Sequence, residues 1–204
     1  RNIAQISYKF SVGTTIVDNY NHPGAGVPRT TGMFGSRSYV RFAEVIDGLS
    51  NTVAMAEVGL GNDRDLRDII GRSAYNVAGV EANPAVCIAQ ATVGRYNPGV
   101  SVSTWLQGSL WPFGHPFWAG FTTVLPPNSP SCYQGNADNP SNQRGIYSAS
   151  GRHAGGVQVL MGDDVVKFIS ENIDAGNYGT GATPNFGVWG AIGTIAGKET
   201  VRVP

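Results

Sequence analysis

The stretch Gly156-Val157-Gln158-Val159-Leu160-Met161, Gly162-Asp163-Asp164, Val165-Val166-Lys167-Phe168-Ile169-Ser170 decides the fold class. Two runs rich in β-branched and large apolar side chains flank a Gly-Asp-Asp link, the composition of a β-hairpin closed by a tight turn. Upstream, Thr52 to Val58 reads as a buried strand. It follows a short helix in which Phe42, Val45 and Ile46 fall at helical spacing and which Asp47-Gly48 ends. The chain opens on another strand-like run, Asn2 to Phe10, and then enters a Gly-, Thr- and Pro-rich loop from Ser11 to Ser36.

Between these strands the text is turn-rich. Asn62 to Asp68 alternates in charge and suits a solvated loop. Asn83-Pro84 has the form of a helix start and predicts a short helix over Ala85 to Ala91 that carries Cys87. Trp105 to Pro130 holds three of the four tryptophans with Phe113, Phe117 and Phe121, but Pro112, Gly114, Pro116 and Gly120 rule out one long helix. Phe186 to Thr194 predicts one or two helical turns, and Lys198 to Val201 a closing strand. The expectation is an α+β, β-rich fold: an antiparallel sheet with short helices and long Gly/Pro-rich loops, in a single domain over residues 1–204.

Composition narrows the function. Charged residues are 14% of the chain, against roughly 25% in an ordinary soluble domain, and 14 basic residues balance 14 acidic ones. Nothing here draws the protein to nucleic acid or to an anionic membrane, and little repulsion keeps copies apart. No run of eighteen apolar residues occurs, so this segment predicts no membrane contact. The chain begins at Arg1 with no leader in view, and the expectation is that an upstream segment has been removed or lies outside it. Cys87 and Cys132 form no CxxC pattern. The reading adopted is a disulfide, worth roughly 3–5 kcal/mol by loop closure, with two buried free thiols in a cytosolic protein as the alternative.

The late segments resemble a bacterial pilin-like family, abundant in planctomycetes, whose domain is named for a His, nine residues, then Asp-Gly. His153 is followed by Ala154 to Gly162 and then Asp163, with Asp164 where that family has Gly. Asp47 to Thr52 followed by Glu57-Val58, Phe121 to Asn128, Ser148-Ala149-Ser150 and Val188 to Ala191 match in order and spacing, over roughly residues 35 to 201. The resemblance implies the globular head of a type IV pilin or pseudopilin, a family with a cleaved leader and a long N-terminal apolar helix. This chain displays neither, so other contacts become the expected route of assembly.

His153 with Asp163 or Asp164 has the side chains of a metal or hydrolytic site. A strand separates them at about 3.3 Å per residue, which predicts opposite ends of the hairpin. His153 is then expected to make a local hydrogen bond at a strand entry, and Asp163-Asp164 to build the turn, Asp tolerating a left-handed backbone better than most residues. Ser148, Ser150 and His153 are near in sequence, but no G-x-S-x-G elbow is present, and His22 and His115 lie beside proline in loops. Pseudopilin heads can carry Ca2+, and Asp47, Asn51, Asp63, Asp65, Asp138 and Asn139 offer oxygen ligands without EF-hand spacing. No permitted Asn-x-Ser/Thr sequon occurs.

Two readings of function follow, neither enzymatic and both extracellular or at the cell surface. The first is a structural subunit of a filament, pilus-like fibre or surface layer that assembles with copies of itself. The second is a carbohydrate-binding or adhesion module in which Trp105, Trp111 and Trp118 stack on surface polysaccharide.

Overall fold

The hairpin from Gly156 to Ser170 forms one side of the main sheet in the computed structural model, which describes residues 4–17, 29–36, 38–135, 138–140, 144–180 and 185–197. In chain order the strands are β1 (Tyr8–Ser11), β2 (Val53–Glu57), β3 (Ala91–Thr92), β4 (Arg95–Tyr96), β5 (Gly120–Phe121), β6 (Cys132–Gln134), β7 (Arg144–Ile146), β8 (Gly156–Met161) and β9 (Val166–Ser170). Short helices α1 (Ala85–Ile88), α2 (Pro116–Ala119) and α3 (Gly187–Ala191) punctuate them. The fold is α+β and β-rich, as its sequence predicts.

The main sheet has five strands in the order β5-β1-β2-β8-β9, beside two two-stranded ribbons, β3-β4 and β6-β7. Its pairs are antiparallel except β1 with β5, so the expected all-antiparallel sheet is in fact mixed. The exception arises because α2 delivers the chain to Gly120 running alongside β1. Strand β5 is only two residues long there, and a Cβ on Gly120 would lie 2.9 Å from Pro116 Cα.

Register divides the sheet into two faces. Ala56, Val157, Val159, Met161 and Ile169 point inward and pack with Phe121, Trp189 and Ile192 into the largest core cluster. Trp189, on α3, donates its indole N–H to the Leu125 carbonyl at 2.8 Å, which satisfies the one polar atom of a fully buried ring. The outer face carries Tyr8, Phe10, Met55, Glu57, Gln158, Leu160, Val166 and Phe168.

Cys87 and Cys132 are joined in a disulfide, with Cα atoms 5.7 Å apart. The bridge ties α1 to β6 within a second core of Val77, Val80, Tyr96, Val124, Leu125 and Ile146. A third cluster, Phe117, Trp118, Tyr133 and Tyr147, is purely aromatic and packs edge to face.

Several local expectations are corrected. The predicted helix before Asp47 is a single 3-10 turn, Phe42–Glu44, in which Glu44 Oε2 accepts the Arg41 backbone N–H at 2.7 Å. The strand near the N-terminus begins at Tyr8 in place of Asn2; residues 1–3 lie outside the described residues. Helix α1 stops at Ile88, and Ala91 already belongs to a hairpin that the composition did not announce. The helical turns before Thr194 are present as α3. The strand expected over Lys198 to Val201 and the loop histidine His22 fall outside the described residues.

Candidate functional site

Candidate functional side chains gather at the His153 end of the hairpin, along the aromatic stretch, and on the outer face of the sheet. At the first, β2 brings Glu57 up beside the loop that enters β8. Glu57 Oε1 lies 3.0 Å from His153 Nε2, and Glu57 Oε2 accepts the Gln158 backbone N–H at 2.8 Å. The local hydrogen bond expected of His153 is therefore made to a residue of another strand. Arg152 beside it is paired with Asp68 at 2.9 Å. These side chains rim a cleft of about 280 Å3 that Ser150 also lines.

Asp163 and Asp164 stand at the other end of the hairpin. Asp164 has φ +67°, the left-handed conformation that Gly adopts without cost, and its N–H returns to the Met161 carbonyl at 3.2 Å. Asp163 Oδ1 accepts the Val165 N–H at 3.3 Å. The His and Asp of the sequence signature do not meet.

The cleft holds an acid and an imidazole, but its hydroxyl is otherwise engaged. Ser150 Oγ accepts the Gly59 N–H at 3.2 Å, and Ser148 Oγ donates to the Pro130 carbonyl at 3.2 Å. His115, the other described histidine, is fully buried, and its Nδ1 accepts the Phe117 N–H at 3.0 Å as the N-cap of α2. Burial, with the Lys9 charge nearby, lowers its pKa to about 3. Lys9 is itself buried and donates to Gln107 Oε1 and the Phe117 carbonyl, both at 2.8 Å, while desolvation holds its pKa well below the ordinary lysine range.

The calcium candidates have separate duties. Asp47 Oδ2 accepts the Gly197 N–H, and Asn51 donates to the Asp47 carbonyl. Asp63 faces Arg72 at 3.8 Å, Asp65 is paired with Arg95 at 2.7 Å, and Asp138 accepts from Thr104. Among the described residues, no group of three or more His, Cys, Asp or Glu side chains is arranged to hold a metal ion.

The aromatic stretch is not one surface. Trp118 is buried, 2% exposed, within the aromatic cluster, which removes it from any contact or sugar-stacking role. Trp105 is half-buried and meets Trp118 edge-on, with ring centroids 5.6 Å apart. Trp111 is exposed elsewhere, in a shallow groove with Phe10, Phe34 and Pro116. Proline and glycine spacing excludes a helix here, yet does not say which rings turn inward.

The outer sheet face was not singled out in the sequence. Phe10 pairs with Met55, Met55 with Leu160 and Leu160 with Val166, an apolar row across four strands. Tyr8-Glu57 and Gln158-Phe168 are likewise cross-strand pairs on this face. Val166 is 62% exposed, Phe168 46%, Tyr8 47% and Phe10 38%. The clue lay in the β9 pattern: Val166 and Phe168 share one face of a strand whose other face already supplies Ile169 to the core.

Residues 6–176 match the model of a family described as "Protein of unknown function (DUF1559)". The chain belongs to this family. The match runs from just before β1 to beyond β9, so the DUF1559 region includes the whole main sheet, the disulfide and the His153 cleft, and stops short of α3. Searches among curated proteins and among solved structures find no match to this DUF1559 chain.

Proposed function

We propose that this DUF1559 protein is a structural subunit of an extracellular filament, pilus-like fibre or surface layer, built by contacts between copies of the chain. The observation that carries the reading is the outer sheet face, where an apolar row crosses four strands and ends on the exposed Val166, with exposed Phe168 beside it on the same edge strand. Apolar side chains held in a fixed, pleated array favour burial against a complementary surface by roughly 25 cal/mol per Å2. A formal net charge of zero leaves little electrostatic opposition between copies.

Other features support the same reading. A disulfide persists in oxidising surroundings such as the cell exterior. The residues that resemble the pilin-like signature fit an architectural role, with His153 hydrogen-bonded to Glu57 and Asp164 in the left-handed position of the hairpin turn. A non-catalytic role fits the His153 cleft, whose serine hydroxyl is bonded to the Gly59 backbone.

Negative-stain microscopy of the native material, with sedimentation velocity of the full-length protein, tests the proposal. Ordered fibres or layers and concentration-dependent association are expected. A monodisperse monomer at high concentration would overturn it.

A further inference from the structure

A cavity of about 440 Å3, which shares no lining residue with the outer sheet face, is lined by Asp63, Leu66, Arg72, Thr104, Trp105, Leu106 and Ser109. Its size is that of a small-ligand site. Its most deeply buried member is Arg72, 1% exposed, whose Nη1 donates to the Ser103 and Thr104 carbonyls and whose Nη2 donates to the Asn62 carbonyl. The Nε of the same guanidinium has no partner among the described residues. A buried N–H without an acceptor costs about 1–3 kcal/mol, so the cavity is backed by a rigidly held cation with one donor unanswered.

At the rim the chemistry is different. Asp63 is largely exposed and 3.8 Å from Arg72, leaving carboxylate lone pairs for a donor in the cavity. Leu66 is half-exposed, and half-buried Trp105 is braced edge-on by Trp118. An aromatic wall held by a second ring and a carboxylate acceptor, both set by backbone that a buried guanidinium fixes, suit a ligand with apolar C–H faces and a rim of hydroxyls. A net anion is poorly matched, because Asp63, Asp65, Asp68 and Asp138 all act electrostatically on Arg72. Arg95 and Arg152 near them are already committed to Asp65 and Asp68.

We propose that the Trp105 cavity is a binding site for a neutral saccharide, with Trp105 stacking on the sugar ring, Asp63 accepting from its hydroxyls and the buried Arg72 fixing the Asn62, Ser103 and Thr104 backbone that holds them. The site is distinct from the apolar sheet face and stands whether or not that face assembles copies. It also separates Trp105 from Trp111, which lies in another groove, and from Trp118, which supports the wall without reaching the ligand.

The test titrates the purified protein with cellohexaose, xylohexaose, mannohexaose and chitohexaose, and with hexagalacturonate as the anionic probe. It is read by calorimetry and by tryptophan fluorescence. At least one neutral hexasaccharide is expected to bind, with affinity reduced tenfold or more by Trp105→Ala and by Asp63→Asn, and unchanged by Trp111→Ala. Thermal melts verify that each variant is folded. Should Trp105→Ala fail to fold, Asp63→Asn and Leu66→Arg, both at exposed side chains, carry the test. Absence of binding by every neutral probe, binding that survives these substitutions, or preference for hexagalacturonate would each overturn the proposal.

Discussion

His115 illustrates how one buried side chain sets a pH limit on the whole fold. Its imidazole caps α2 as a neutral acceptor and is held at a pKa of about 3, mainly by burial. The folded protein therefore takes up no proton there until about pH 3, whereas the unfolded chain does so near 6.5. Between those values the unfolded state binds more protons, so stability falls as pH drops from about 6.5 toward 3, by on the order of a few kcal/mol. His115→Asn keeps an N-cap acceptor and removes the titration. Its stability is expected to vary less with pH across that window, by on the order of 1 kcal/mol or more, measured by urea unfolding at pH 7 and pH 4. A second residue-scale contrast concerns the pair whose members lie 96 positions apart. Glu57 is mostly buried and satisfies the Gln158 N–H, while His153 is half-exposed. Glu57→Ala should cost about 1–3 kcal/mol by leaving that N–H unanswered. His153→Ala should cost under about 1 kcal/mol, because the half-exposed contact competes with water. Equal losses in chemical denaturation would refute the assignment of Glu57 as the structural member.

The ribbon of β3 and β4 is closed by Val93 and Gly94, both with positive φ, +48° and +71°. Two-residue hairpin turns of this hand favour Asn-Gly because a left-handed backbone crowds a Cβ, and most of all a branched one. Val93 is 95% exposed and gains no burial in return. Val93→Asn is therefore expected to stabilise the protein by about 1 kcal/mol, seen as a rise of about 2–4 °C in Tm. The same turn shows why parts of the fold escape a sequence reading. The β8-β9 hairpin was legible because two apolar runs flank Gly and Asp, so local composition and tertiary structure agree. The β3-β4 ribbon was not, because its strands are two residues each and its turn begins with a residue that the turn disfavours. Strand β5 was hidden for another reason: it is defined by a parallel partner more than a hundred positions away, and Gly120-Phe121 has no pattern of its own. The candidate sites divide likewise. The disulfide and the left-handed Asp164 were read from residue type and spacing. The Glu57 partner of His153, and the sorting of Trp105, Trp111 and Trp118 into wall, groove and core, depend on which faces the distant strands turn to one another.

At the scale of the molecule, one face of the sheet is committed to the main core, while the other is covered only in part, where Met55 packs with the cluster of Met33, Val45 and Ala54 and Phe10 meets Phe34. Trp189 and Ile192 close the inner face, whereas the outer row from Phe10 to Val166 continues onto an edge strand, β9. Edge strands with apolar outward side chains invite pairing, and a single Lys167 in β9 is the type of charge that limits uncontrolled addition. A controlled contact would then use the face and not the open edge, with Val166 and Phe168 near its rim. Replacing both by lysine places two like charges where two copies would meet, and neither side chain contributes to a core cluster. The double variant Val166→Lys/Phe168→Lys should therefore melt within a few degrees of the parent while its self-association weakens about tenfold or more, equivalent to about 1.4 kcal/mol. Sedimentation equilibrium of parent and variant over the same concentration range reads the difference directly. Association unchanged in a folded variant would remove the outer sheet face as the contact, because a desolvated pair of apolar side chains does not tolerate two ammonium groups in its place.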